Sequence, residues 1–148
     1  KIFFVGEFYS QSTILLTYKK SVDMNENMEL LENKIAYMSE EGFVKKKSFF
    51  GSYYIYQATQ AKMKKHYVYM NAEGKHKFQS LVQSKNFNKI SEISKEMNAS
   101  CRLEVWIATD KSACVMQLQE YIPHNYQACS ELVVLKNDDA QPVINFVK

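Results

Sequence analysis

Residues 101–148 constrain the fold more than any other stretch, because their apolar positions recur with period two, the pattern of a half-buried antiparallel sheet. Cys101, Leu103, Val105 and Ile107 fall on one face. Asp110 and Lys111 supply a turn, after which Cys114, Met116 and Leu118 continue the apolar side while Gln117, Gln119 and Tyr121 take the other. Pro123, His124 and Asn125 make the next break. From there Ala128, Leu132 and Val134 alternate with Cys129, Val133 and Leu135. A last short strand, Val143 to Val147, follows the turn-rich Asn137, Asp138 and Asp139. The pattern predicts a four-strand meander.

Register then decides what the three cysteines can do. A two-residue loop at Asp110 and Lys111 sets Thr109 opposite Ser112, hence Cys114 opposite Ile107 and Cys101 opposite Glu120. Through the next turn Cys129 falls opposite residues 117–119, roughly 13 Å along the ladder from Cys114 at ~3.3 Å per residue. Cys101 and Cys129 share a height but stand two strands apart, about 9 to 10 Å, beyond the ~7 Å Cα limit for a disulfide. Three free thiols are expected, acting as small apolar residues in a sheet, and such usage favours a reducing compartment.

The chain has 148 residues, of which 46% are hydrophobic, with four glycines and two prolines. That composition suits a single globular domain spanning 1–148 and excludes a linker or low-complexity segment. No apolar run reaches the ~20 residues that would span a bilayer. The chain begins at Lys1 without a methionine, and the opening KIFFVGEF is too short, and too acidic at Glu7, for a retained signal peptide. The triplet Asn98, Ala99, Ser100 has the form of a glycosylation acceptor, which an Asn- and Ser-rich chain produces by chance.

A net charge of +3 hides an uneven distribution. Residues 1–42 hold four lysines against seven acids, whereas residues 43–80 hold eight lysines against Glu73 alone. The positive charge therefore sits in the middle of the chain.

Ile2 to Tyr9 and Thr13 to Lys19 read as two short strands, being rich in β-branched and aromatic residues. A helix is expected next. Asp23 and Glu26 form a capping box, Met24, Met28, Leu31, Ile35 and Met38 make a core-facing stripe, and Gly42 stands where a left-handed cap is wanted. Phe43 to Phe50, a turn at Gly51 and Ser52, Tyr53 to Ala58, and His66 to Met70 give three more strands. A second helical region runs from Gly74 to Met97, with Phe78, Leu81 and Val82 on one apolar face and Ile90, Ile93 and Met97 on another. Asn86, Phe87 and Asn88 interrupt its period, which predicts a kink or two helices.

The expected architecture is α+β, a largely antiparallel sheet with two helical segments in the order ββαβββα, then the C-terminal meander. Up to residue 98 this order resembles that of profilin-like and longin-type domains, and the resemblance, one of element order alone, implies a protein-binding platform.

Functional signals are compositional. Lys45, Lys46, Lys47, Lys62, Lys64, Lys65 and His66 interleave with Phe49, Phe50, Tyr53, Tyr54, Tyr56, Tyr67 and Tyr69 over three neighbouring strands. Such a patch suits an acidic protein partner, with charge steering the encounter and tyrosines as anchors. The same composition would serve single-stranded nucleic acid through phosphate neutralisation and base stacking. A small-ligand pocket or enzyme cavity between sheet and helix, near Trp106, is a further reading, although Trp106 shares its face with Arg102 and Glu104 and reads as half exposed.

Catalytic chemistry finds little support. His66, His76 and His124 lack metal-ligand spacing with one another or with a cysteine, so no metal site is expected. His124 lies five residues before Cys129, a thiol-and-base spacing, but a strand interior is a poor place for a reactive thiolate. Glu29 and Glu32 read as solvated helix charges. No nucleophile elbow, phosphate-cradling glycine loop or dinucleotide fingerprint is present, and no cofactor is called for. The residues thus favour a non-catalytic protein-interaction module, with Lys45, Lys46, Lys47, Tyr54, Lys64 and Lys65 as the contact set.

Overall fold

A computed structural model describes residues 29–148. The two N-terminal strand segments and the capping box at Asp23 and Glu26 lie outside the described residues. Within them, the fold is α+β, built on a curled antiparallel sheet of seven strands.

The chain enters through a short helix, α1 (Leu31–Lys34), and two single-turn 3-10 segments, Ile35–Tyr37 and Ser39–Glu41. The expected long helix is therefore broken after Lys34. Gly42 does take the left-handed conformation, with φ of 92°, and turns the chain into the sheet. Strands β1 (Phe43–Ser48) and β2 (Gly51–Tyr56) form a hairpin whose turn falls on Phe49 and Phe50, two residues earlier than the sequence suggests. Strand β3 (Ala61–Met70) begins five residues before His66, because the polar side chains of Lys62 and Lys64 alternate with buried Met63.

Helix α2 (Ala72–Ser84) is capped by Asn71, whose Oδ1 accepts from the Gly74 amide at 2.9 Å. Lys85, left-handed with φ of 55°, ends it ahead of buried Phe87, and Ile90–Glu92 forms a single 3-10 turn. The interruption expected at residues 86–88 is thus realised. Met97, expected on the apolar face, is instead exposed.

Strands β4 (Cys101–Ala108) and β5 (Ala113–Ile122) pair in the register read from the sequence, with Cys101 opposite Glu120 and Ile107 opposite Cys114. Beyond them the run 128–135 is not one strand. It divides into β6 (Asn125–Ala128) and β7 (Val133–Lys136), both pairing with β5 on the same side. The break arises where the Leu118 amide donates to Ser130 Oγ at 2.9 Å, so that a side chain takes the place of a backbone partner. Cys129 therefore lies just past the end of β6 rather than in a strand interior.

The expected last strand, Val143 to Val147, is a helix, α3 (Gln141–Val147). Pro142 in its first turn cannot donate to a strand ladder, and Ala140, Val143, Ile144 and Phe146 all face inward at helical spacing. The C-terminal third thus keeps four antiparallel strands, β4 to β7, but splits the expected third strand in two and ends in a helix.

Two apolar clusters lie on opposite faces of this sheet. On one face Val68, Met70, Cys101, Leu103, Val105, Cys114, Met116 and Leu118 pack against Phe78 of α2, Phe87, Ile90 and Ile93 of the following loop, and Ile144 of α3. On the other, Met63, Trp106, Ala108 and Val115 lie beneath Leu31, Ile35 and Met38, so the described part of the stripe is core-facing. Each large side chain buried this way contributes about 1.5–3 kcal/mol. No helix among the described residues is long and apolar enough to cross a membrane.

Gly74 marks a close approach of α2 to β3. A Cβ there would stand 2.9 Å from Met70 Cβ and 3.1 Å from Ile93 Cγ2. Alanine normally favours a helix over glycine by ~1 kcal/mol. Overpacking outweighs that gain here, and Gly74→Ala is expected to lower stability by about 1–3 kcal/mol in urea unfolding. An unchanged midpoint would show that Met70 and Ile93 move aside freely.

Candidate functional site

The second face of the sheet is buried further than its sequence implies. Trp106 is only 7% exposed and Glu104 only 1%, and Gln117 and Gln119 are also buried, so the middle of the face expected to be half solvated is closed. A hydrogen-bond network makes this tolerable. Glu104 Oε2 accepts from the Trp106 indole at 2.7 Å and Oε1 from Gln119 Nε2 at 2.9 Å. Gln119 Nε2 also donates to Gln117 Oε1 at 3.0 Å, and the same oxygen accepts from the Leu31 amide at 2.8 Å. Gln117 Nε2 in turn donates to the Glu29 carbonyl at 2.8 Å, stitching the entering segment to β5. Satisfied partners are what allow these groups to be buried at all.

Register divides the sequence-derived contact set between the two faces. Lys45, Lys47, Tyr54 and Lys65 lie on the face of Trp106, while Lys46 and Lys64 lie on the other. The Tyr54 ring meets Trp106 edge-on at 5.1 Å, and the Lys65 ammonium sits 5.8 Å from the same ring. Lys65 is also bound to Glu32 at 2.7 Å. That hydrogen bond holds its pKa above the ordinary lysine value, partly offset by burial. Tyr54 and Lys65 are thus engaged within the fold, and Lys45, Lys46, Lys47 and Lys64 are the exposed cations of the set. Lys62 joins Lys46 and Lys64 on the face away from Trp106, its ammonium 4.9 Å from the Tyr53 ring.

The β1–β2 hairpin carries Lys45, Lys46 and Lys47 away from the body. It joins β3 only through Ile55–Lys62 and Tyr56–Ala61, so its outer rungs, Lys46–Tyr53, Lys47–Ser52 and Ser48–Gly51, project as an arm. At the tip Phe49 is 97% exposed and Phe50 94%, their rings edge-to-face at 5.4 Å. Ser48 Oγ accepts from the Phe50 amide and donates to the Gly51 carbonyl, fixing the turn. Two phenylalanines held in water beside three lysines are an unsatisfied apolar surface. The turn signal at Gly51 and Ser52 hid this, because it assigned both rings to a strand with one side buried.

At the opposite end of the sheet, on the face of the polar network, lies a cleft of about 310 Å³ lined by Tyr69, Asn98, Ala99, Ser100, Tyr121 and Tyr126. Arg102 forms its neighbour: the guanidinium carbon stands 4.2 Å from the Tyr67 ring centroid and 3.5 Å from that of Tyr126. Composition concealed this residue. It is the single arginine among 19 basic residues, a signal visible in the sequence once attention falls on it.

Thiol chemistry and metal binding gain nothing from the geometry. Cys101 and Cys114 are buried and Cys129 half-buried. Burial pushes the Cys114 thiol up to about 12 and Cys129 up to about 11. At pH 8 a group with that latter value is about one part in a thousand thiolate. Among the described residues no group of three His, Cys, Asp or Glu is placed to hold a metal. Aromatic disulfide reagents at pH 8 are therefore expected to label the native protein far more slowly than the protein unfolded in guanidinium. Rapid native labelling of Cys129 would overturn this account of its surroundings.

No family model, curated protein or solved structure matches the chain.

Proposed function

We propose that the chain is a non-catalytic protein-interaction module that docks through the β1–β2 arm onto an acidic partner bearing an apolar socket. The observation that carries this reading is the near-complete exposure of Phe49 and Phe50 on a hairpin that also presents Lys45, Lys46 and Lys47. Burying two such rings in a partner contributes about 3–6 kcal/mol, enough to anchor a complex once ordering costs are met. The lysines raise the rate of encounter and set the sign of the partner's surface. They also line β1, which pairs only with β2 among the described residues, and lysines there discourage indiscriminate strand addition. The partner is thus selected by the tip and by charge rather than by backbone pairing.

Two variants test the reading, Phe49→Ser with Phe50→Ser, and Lys45→Glu with Lys46→Glu and Lys47→Glu. All five positions are exposed, so both variants are expected to unfold at the wild-type temperature. In pull-downs from source lysate, wild type is expected to retain a discrete acidic protein through nuclease treatment, and both variants to lose it. Retention by the variants would remove the arm from the account. Loss with nuclease would transfer the surface to single-stranded nucleic acid, and phenylalanine-dependent sedimentation with anionic vesicles would assign the tip to a bilayer.

A further inference from the structure

We infer that the tyrosine-lined cleft at the far end of the sheet is a second binding site, one for a small ligand that joins a flat ring to an anionic group, a carboxylate or a phosphate. It lies eight residues along β3 from the root of the arm, about 26 Å at ~3.3 Å per residue, so the two surfaces are separate.

The cation offered to this site is Arg102, which borders the cleft with its guanidinium against the Tyr126 wall. Its Nε donates to Gln119 Oε1 at 2.7 Å, and among the described residues it has no carboxylate partner. Glu104, the carboxylate of the network, is separated from it by Gln119, which donates to Glu104 through Nε2. Gln119 is fully buried, so this anchor fixes the plane of the guanidinium. The rings of Tyr67 and Tyr126 close in on that group from 4.2 and 3.5 Å. A planar cation held by one edge and flanked by rings presents its remaining N–H fork to an anion, and two parallel hydrogen bonds to carboxylate or phosphate suit that fork. A lysine could not be oriented in this way.

The ring of the ligand is accounted for by the walls. Tyr121 and Tyr126 stand edge-to-face at 5.1 Å, and Tyr121 is 47% exposed, leaving aromatic surface open to the cleft. The Tyr121 amide donates to the Ser100 carbonyl at 2.7 Å, which ties this wall to the 98–100 loop. Burial raises the Tyr126 pKa, with Tyr69 beside it adding to the effect, so its hydroxyl remains a proton donor at neutral pH. Asn98, left-handed with φ of 58°, and exposed Ser100 supply polar groups at the rim. A cleft of about 310 Å³ accommodates one small ring system with its anion, not an extended polymer.

Calorimetric titration of the full chain with four probes tests the site: adenosine monophosphate, adenosine, inorganic phosphate and 4-hydroxybenzoate. At least one of the two ring-bearing anions is expected to bind about tenfold or more tightly than both adenosine and phosphate, and which of them does so distinguishes a phosphate from a carboxylate ligand. Arg102→Lys and Tyr121→Ala are each expected to weaken that binding by about tenfold. Tyr121 is exposed, so its variant remains informative should the Arg102 variant fold poorly. Absence of binding by both anionic ring compounds, equal binding of adenosine, or wild-type affinity in the Tyr121 variant would overturn the inference. None of these outcomes bears on the arm, whose phenylalanine variant is expected to bind the probe as wild type does.

Discussion

A buried carboxylate sets the terms for this fold. Glu104 sits in the middle of β4 with two donors and no cation bonded to it among the described residues, and each donor is itself fixed by something else. Trp106 is packed beneath Leu31 and Ile35, and Gln119 is shared with Arg102 and Gln117. Gln117 then clasps the backbone of residues 29 and 31. Removing any one partner leaves a polar group dehydrated and unbonded, at a cost of about 1–3 kcal/mol and more for a charge. The second face of the sheet therefore closes only when the entering segment, β4 and β5 adopt one arrangement together.

That closure is partial along the strands, and the functional proposals follow from where it stops. Toward the Ala108 end, apolar packing under Ile35 and Met38 gives way to the β1–β2 arm, which two β2–β3 rungs hold at its root. Toward the Cys101 end, the polar network gives way to Arg102 and its tyrosines, which stay partly open to water. A hydrogen-bonded centre with two unlike ends presents an apolar, cationic tip on one side and an aromatic cleft bordered by Arg102 on the other.

Much of the centre was legible from residues alone. Strict alternation and the Asp110–Lys111 turn sufficed for the β4–β5 register, since a slip of one residue would expose every apolar side chain. The interrupted period at residues 86–88 and the glycine at position 42 were likewise local signals. Glu104, Gln117 and Gln119 misled because their cover comes from residues 29–38, far away in sequence. Val143–Val147 misled for another reason: its β-branched residues suit a strand, but Pro142 and the inward spacing of Val143, Ile144 and Phe146 suit a helix docked on the sheet. The candidate surface was legible in composition and not in geometry. Alternation over β1 to β3 separates Lys46 and Lys64 from Lys45 and Lys65, which no count of charges reveals.

The direct test of the central claim is denaturant unfolding of Gln119→Leu. Leucine matches the volume and is more apolar, so a site that merely tolerates a polar residue would keep or gain stability. If the network holds the sheet, the change strips a donor from Glu104 and an acceptor from Arg102, and stability falls by about 2–4 kcal/mol at an unchanged denaturant slope. A midpoint equal to or above that of wild type would contradict the account.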